Sequence, residues 1–246
     1  MLDLFYYMAK TIKKLNINRK GIILEPESPI EKIISASTTI RDSIIHAIAS
    51  VKTYNAFSDI MLAKGPITGT LRWESNAILP QDIFATGEDK GGVDEPKVVY
   101  QNGKYYMTYT GFSEPMNGKT RIFIASGTDL GKLEKHGRIG PDLETKTAML
   151  FPQRIQNKSV LVYKSEDPCH MYLAQYPGPV QFQPDWETYW KKYNLDTQLF
   201  LKAIHQWESQ GIDPGVAVNT KDSGWLFLYA AHSRRNTRIG AVLIQE

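Results

Sequence analysis

Cysteine is nearly absent from this 246-residue chain, which contains only Cys169. An intrachain disulfide is therefore excluded, as is a metal centre built from several cysteines. Long apolar runs are also lacking, because no stretch approaches the ~18 residues that cross a bilayer as a helix. The apolar start, residues 1–8, has no basic residues before it and no small-residue cleavage motif. We therefore expect neither a secretory signal nor a membrane partner, and a cytoplasmic location.

Charge of one sign is not in large excess either. The net charge is +3 with 22 % charged residues, too mild a balance to predict a nucleic-acid partner. The five histidines lie far apart without ligand spacing, so we predict no catalytic metal; they are His46, His136, His170, His205 and His232. Aromatic residues make up 11 %, including 13 tyrosines, which favours β structure and sugar-binding surfaces.

The first 20 residues differ in pattern from the rest. Apolar groups at positions 4, 5, 8, 12 and 15 have helical spacing, which predicts a short N-terminal helix in segment 1–20. This helix would pack on the domain, or would serve as a membrane-surface or partner helix. Residues 21–246 are predicted to form a single β domain.

A repeat of roughly 60 residues organises that domain. Strand-like octets at 43–50, 104–111, 158–165 and 224–231 are each followed by a second candidate strand, at 58–64, 121–126, 170–175 and 238–245. Paired consecutive strands at this period predict an all-β propeller with four recognisable blades. A β-sandwich with chance spacing is the alternative. A short helix is predicted over 197–209.

The most informative stretch is GGVDEPKVVYQNGKYYMTYTG, residues 91–111. Asn102-Gly103 between two apolar runs predicts a tight hairpin that joins strands 97–100 and 104–110. The acids Asp94 and Glu95 precede this hairpin on a segment that glycine leaves free and Pro96 stiffens. Successive side chains on a strand point to opposite sides, so only one of the two acids can face a cavity.

Three regions of the chain, with five short matching ranges, resemble glycoside hydrolase family 130, the β-mannoside phosphorylases and β-mannosidases. Residues 92–97 (GVDEPK) and 106–110 (YMTYT) are similar to the family's Gly-x-Glu-Asp-Pro-Arg and Tyr-x-Thr-Tyr-Thr, with the two acids reversed and lysine for arginine. Residues 146–152 (KTAMLFP) resemble its Lys/Arg-Asp/Asn-x-x-Leu-Phe-Pro segment. Residues 211–215 (GIDPG) and 224–229 (GWLFLY) resemble its glycine-rich loop and Gly-Trp-Leu strand.

This resemblance implies a five-bladed propeller, of which the sequence shows four blades. The chain would then be truncated, or the ring would be shorter, or a partner would complete it. Unpaired strand edges in an open ring favour association, so a homo-oligomer remains an option.

The resemblance also implies a single carboxylic general acid. Glu95 shares strand parity with Lys97 and would protonate the leaving oxygen, unless the backbone twists and Asp94 takes this role. A capping function for both acids in a turn is the structural alternative.

Cations and aromatic residues complete the implied site. Lys97, Lys146 and Lys164 would bind phosphate or sugar hydroxyls, although lysine lacks the bidentate fork of arginine. Further substrate- or phosphate-binding candidates are Tyr109, Asp213, Tyr229 and His232, of which Asp213 is also a candidate base. The family's histidine and a later tyrosine correspond to Ala230 and Thr237, so phosphorolysis is disfavoured relative to a typical member.

The sequence thus predicts a glycosidase-like enzyme that cleaves β-mannosides or related oligosaccharides, by hydrolysis or phosphorolysis. It would need no cofactor, and a phosphorylase would use inorganic phosphate as co-substrate. The alternative is a catalytically inactive propeller that binds glycans or a protein partner.

Overall fold

The computed structural model of the chain describes residues 21–53, 58–79, 89–113, 119–164, 166–177, 190, 199–220, 224–234 and 236–244. The predicted helix in segment 1–20 lies outside these residues. No helix in the described part is long and apolar enough to cross a membrane.

Four antiparallel sheets follow one another along the chain, and within each sheet the strand order is the chain order. The first sheet consists of β1 (Ile30–Arg41), β2 (Ile44–Thr53), β3 (Ser58–Pro66) and β4 (Arg72–Leu79). The second consists of β5 (Val93–Gln101), β6 (Lys104–Phe112), β7 (Thr120–Gly127) and β8 (Glu134–Arg138). The third consists of β9 (Ala148–Leu150), β10 (Lys158–Lys164), β11 (His170–Pro177) and β12 (Leu199–Lys202). The fourth consists of β13 (Gly211–Asn219), β14 (Trp225–His232) and β15 (Thr237–Ile244).

The sheets are the blades of a propeller, because each packs face to face on the next. One apolar cluster joins the first two blades, with Ile48 and Leu62 against Met107. A second joins blades two and three through Tyr106, Ile122 and Leu161 among others. A third joins blades three and four, where Val162 meets Phe227. Burial of each such side chain contributes about 1.5–3 kcal/mol, so the inter-blade clusters hold the fold together.

The first strand of each blade lies innermost, and these strands neighbour one another in the series β1, β5, β9 and β13. The serial packing of four similar sheets confirms the predicted propeller arrangement over a two-sheet sandwich. All eight strands predicted from the repeat are present, as β2, β3, β6, β7, β10, β11, β14 and β15. The predicted hairpin is also present, with Asn102 and Gly103 at φ of 52° and 80° between β5 and β6.

The helix predicted over 197–209 is wrong for the residues that are described. Leu199–Lys202 form strand β12, which pairs with β11, and only Gln206–Glu208 form a single 3-10 turn. The aromatic and charged run has helical spacing, but the backbone of β11 provides hydrogen-bond partners that a local pattern does not reveal.

Candidate active site

Several of the predicted site residues lie at the same end of their blades. In an antiparallel blade the start of the inner strand lies beside the end of the second strand. This geometry pairs Asp94 at the start of β5 with Thr110 at the end of β6. It likewise brings Asp213 near the start of β13 beside the end of β14, where His232 lies. Lys164 ends β10 at the same level, and its backbone N–H donates to Thr147 O over 3.2 Å.

Asp94 is tied to the first blade. Its Oδ1 accepts a hydrogen bond of 3.0 Å from Ser35 Oγ in β1 and one of 2.6 Å from the backbone N–H of Glu95. The side chain is half-buried. Asp94 is therefore held by its neighbours and acts as a fixed negative charge beside Glu95.

Glu95 occupies a strained position at a bulge. Its φ is 51°, a left-handed value that is uncommon outside glycine, and β5 departs from regular pairing between Asp94 and Lys97. The side chain is 31 % exposed, and Oε2 lies 3.7 Å from Lys97 Nζ. The bulge, rather than the strand parity expected from sequence, therefore sets the direction of Glu95.

Burial raises the pKa of Glu95 above its usual value. The charge of Lys97 opposes this rise, whereas the charges of Asp94 and Asp213 add to it. The carboxylates that raise the pKa of Glu95 thus belong to its own blade and to the fourth blade. A carboxyl whose pKa is raised keeps its proton to higher pH, which is what a general acid requires.

Asp213 lies between two donors. Lys164 Nζ is 2.6 Å from its Oδ1, and His232 Nε2 is 2.7 Å from its Oδ2. His232 Nδ1 is in turn 3.1 Å from Thr237 Oγ1. Residues that the sequence places 49 and 19 positions apart along the chain thus form one polar cluster.

The Leu-Phe-Pro segment enters the site through its first residues. Thr147 has φ of 63° and is buried, and its backbone N–H donates to Thr110 Oγ1 over 3.2 Å. Lys146, immediately before it, is exposed. The segment is therefore anchored to blade two, while Lys146 extends into solvent.

Tyr109 lies in the core between blades one and two and is 1 % exposed. Its Oη donates to Asp89 Oδ2 over 3.1 Å, and Lys135 Nζ lies 2.7 Å from the same oxygen. Burial and the Asp89 charge raise the pKa of Tyr109. The ring stacks on Phe123 and offers little surface to a ligand.

Tyr229 is also enclosed, at 6 % exposure. Its Oη donates to Glu208 Oε1 over 2.7 Å, while Glu208 Oε2 accepts the backbone N–H groups of Ile204 and His205. Burial alone would raise the pKa of Glu208, but these hydrogen bonds outweigh it and lower the pKa. Tyr229 is therefore a buried residue that links β14 to the 3-10 turn through Glu208.

The structure thus forms two polar groups, one of Asp94, Glu95 and Lys97 and one of Lys164, Asp213 and His232, and it places the two tyrosines in the core. Sequence reasoning missed Ser35, Asp89 and Glu208. These residues form hydrogen bonds with Asp94, Tyr109 and Tyr229, respectively. No local signal marks Ser35, because its partner is 59 residues away in the next blade. Among the described residues no group of three metal-ligating side chains converges on one point.

Comparison with known proteins identifies the family. A family model described as beta-1,4-mannooligosaccharide phosphorylase, of glycoside hydrolase family 130, matches residues 60–246. A 1,2-beta-oligomannan phosphorylase of Thermoanaerobacter sp. (strain X514) is 32 % identical over 163 residues, which cover 65 % of this chain and 49 % of the relative. A beta-1,2-mannobiose phosphorylase of the same organism is 27 % identical, covering 64 % and 48 %. The chain thus spans about half the length of these curated relatives.

Solved structures share the fold. The beta-1,2-mannobiose phosphorylase of Listeria innocua, in complex with beta-1,2-mannobiose, has a TM-score of 0.65 at 15 % identity. The alignment covers 90 % of this chain and 75 % of that one. A glycosyl hydrolase from Bacteroides ovatus has a TM-score of 0.66 at 16 % identity, covering 85 % and 66 %. The blades, the acid-Pro hairpin and the family match over residues 60–246 together establish that the chain belongs to glycoside hydrolase family 130.

Proposed function

We propose that the chain is the core of a glycosidase-like enzyme that cleaves β-mannosides or related oligosaccharides, with Glu95 as general acid. The observation that carries the proposal is the state of Glu95. It lies at a bulge on an inner strand, largely buried, and its pKa is raised while Asp94 is held by Ser35. Cleavage of a glycosidic bond requires such a proton donor for the leaving oxygen.

The remaining polar groups would bind the sugar or an anion. Lys97 lies beside Glu95, and Lys146 is an exposed cation at the same end of the propeller. Inorganic phosphate is the co-substrate if attack is phosphorolytic. The β-mannoside substrate class is supported by the two curated relatives, a 1,2-beta-oligomannan phosphorylase and a beta-1,2-mannobiose phosphorylase.

The ring is proposed to be of the five-bladed type, as the family resemblance implies. On β14, Trp225, Phe227 and Tyr229 are buried against blade three, whereas Leu226 and Leu228 alternate with them and are half-buried. Val218 pairs with Leu226 across the sheet and is 48 % exposed. A further blade would cover this apolar face.

The test is to incubate the purified chain with β-1,2- and β-1,4-mannobiose, with and without inorganic phosphate. Release of mannose or mannose 1-phosphate supports the proposal. Replacement of Glu95 by Gln should lower turnover of the disaccharide by about 100-fold or more. With 4-nitrophenyl β-mannoside the loss should be much smaller, because that leaving group departs without a proton. Equal losses on both substrates would argue against Glu95 as the acid.

The second candidate is a catalytically silent propeller that binds glycans. It is favoured by the ion pair that already occupies Lys164, which removes one of the cations available to a ligand. If mannobiose binds but no product forms under any condition, and neither Glu95→Gln nor Asp94→Asn changes binding, this candidate is preferred.

A further inference from the structure

In the polar cluster around Asp213, a single carboxylate lies between two donors, Lys164 and His232. Both oxygens of the carboxylate are engaged, Oδ1 by Lys164 Nζ and Oδ2 by His232 Nε2. An ionised carboxylate can only accept hydrogen bonds, so Nε2 of His232 is the donor. Thr237 Oγ1 meets the other ring nitrogen, which leaves the imidazole with neither nitrogen available to a ligand.

The cluster can be reached from solvent. The side chains of Lys164, Asp213 and His232 are 20 %, 25 % and 34 % exposed. Asp213 and Glu95 lie near the starts of the inner strands β13 and β5, and both of these strands contact β9. Asp213 precedes a bulge at Pro214–Val216, as Asp94 precedes the bulge of β5.

We infer that Asp213 is a built-in anion that occupies the Lys164 and His232 donors, excludes phosphate, and serves as the base that activates water. The inference deepens the proposed function and rests on it, since it makes the enzyme a hydrolase rather than a phosphorylase. A phosphorylase must hold a phosphate dianion with unpaired cationic donors. Here one negative charge already lies within 2.6–2.7 Å of both donors, and a dianion beside it would be repelled.

The step balances without any further reactant. The oxygen of a water molecule attacks the anomeric carbon while Asp213 takes one of its protons. The bond from that carbon to the glycosidic oxygen breaks, and Glu95 gives its proton to the departing oxygen. The products are mannose of inverted anomeric configuration and the shortened glycan. Exchange of protons with solvent returns Glu95 to the acid form and Asp213 to the carboxylate.

Phosphate binding tests the exclusion without any reliance on turnover. Inorganic phosphate is titrated by calorimetry into the wild-type chain and into Asp213→Asn, which keeps the size of the side chain and removes its charge. The variant should bind phosphate about tenfold more tightly or better. In the double variant Asp213→Asn/Lys164→Met this gain should disappear. Equal phosphate affinity of wild type and Asp213→Asn would overturn the inference, as would a gain that survives the loss of Lys164.

Product analysis tests the role of the base. In H₂¹⁸O the wild type should release ¹⁸O-labelled mannose from mannobiose at a rate that phosphate does not raise. Asp213→Asn should lose about 100-fold or more of this hydrolysis, and azide should restore turnover by forming α-mannosyl azide. Mannose 1-phosphate as the main wild-type product would overturn the inference while leaving the proposed glycosidase intact. If no substrate is turned over, the proposed function fails, and the phosphate titrations still decide whether Asp213 excludes the anion.

Discussion

Ser35 Oγ in the first blade donates a 3.0 Å hydrogen bond to Asp94 Oδ1 at the start of the second. The same Oδ1 accepts the backbone N–H of Glu95 over 2.6 Å. The position of Glu95 thus depends on a contact between blades, and not on its own hairpin alone.

Removal of this contact should slow turnover while leaving the chain folded. Ser35→Ala leaves Asp94 Oδ1 with the backbone N–H of Glu95 but without the Ser35 hydroxyl, and we expect a loss of about 0.5–1.5 kcal/mol in the free energy of unfolding. We also expect about tenfold slower mannobiose cleavage, because Glu95 loses its fixed neighbour. Urea denaturation and initial rates measure the two effects.

Ser37→Ala is the matched control. Ser37 lies two residues further along β1, is 4 % exposed, and accepts the backbone N–H of Val98 over 3.2 Å. Its loss leaves a buried donor unpaired and should cost about 1–3 kcal/mol of stability. Turnover of the folded fraction should be unchanged. An equal effect of both variants on turnover would mean that Ser35 acts only through stability.

The pH dependence of kcat/KM should change when a charged neighbour of Glu95 is removed. The pKa of Glu95 is raised, and Glu95 must be protonated to act as an acid. The value of kcat/KM should therefore be highest below that pKa and fall as pH rises through it. Lys97→Met removes an opposing cation and should move this alkaline limb to higher pH. Asp94→Asn removes a like charge and should move it to lower pH. Shifts in the same direction would exclude Glu95 as the titrating acid.

Tyr229→Phe should lower the free energy of unfolding, because it removes the hydroxyl that donates to the Glu208 carboxylate. In the folded chain the pKa of Glu208 is lowered, so its contribution to stability is present above its unfolded pKa and is lost as pH falls through the folded pKa. Loss of the Tyr229 hydroxyl should cost about 1.5–3 kcal/mol at neutral pH, since the bond is to a charged group.

This deficit of Tyr229→Phe should shrink as pH falls below the pKa of Glu208. Urea denaturation across that pH range measures it. Glu208→Gln should be less stable than wild type at neutral pH and should show a weaker pH dependence. A deficit of Tyr229→Phe that is the same at every pH would show that packing, and not the charge, is responsible.

Gly240→Ala should be among the most destabilising small substitutions. A methyl group at this position on β15 would come within 2.1 Å of Cζ of the Tyr229 ring, which lies directly over Gly240. Overpacking of this kind costs about 1–3 kcal/mol or more. Thermal unfolding measures the loss, and Gly131→Ala is the control because its nearest neighbour would be at 3.5 Å, an ordinary contact.

Sequence reasoning was strongest where the signal is local. The Asn102-Gly103 turn and the apolar octets predicted eight strands, because turn chemistry and strand propensity act over a few residues. It failed where a partner decides, as for β12, which has helical spacing in sequence but pairs with β11. The inner strand β1 was not predicted either, since its pattern is interrupted by register shifts.

The amino-acid sequence by itself determined the blade repeat, the acid-Pro hairpin and the family, because these rest on residues that are near each other in the chain. Only the tertiary structure decided how each of the two acids is held. The bulge turns Glu95 towards Lys97, Ser35 holds Asp94, and Asp213 takes the donors of Lys164 and His232. The physical reason is that charge, burial and hydrogen bonding at this site are set by residues from all four blades, whose proximity no local pattern encodes.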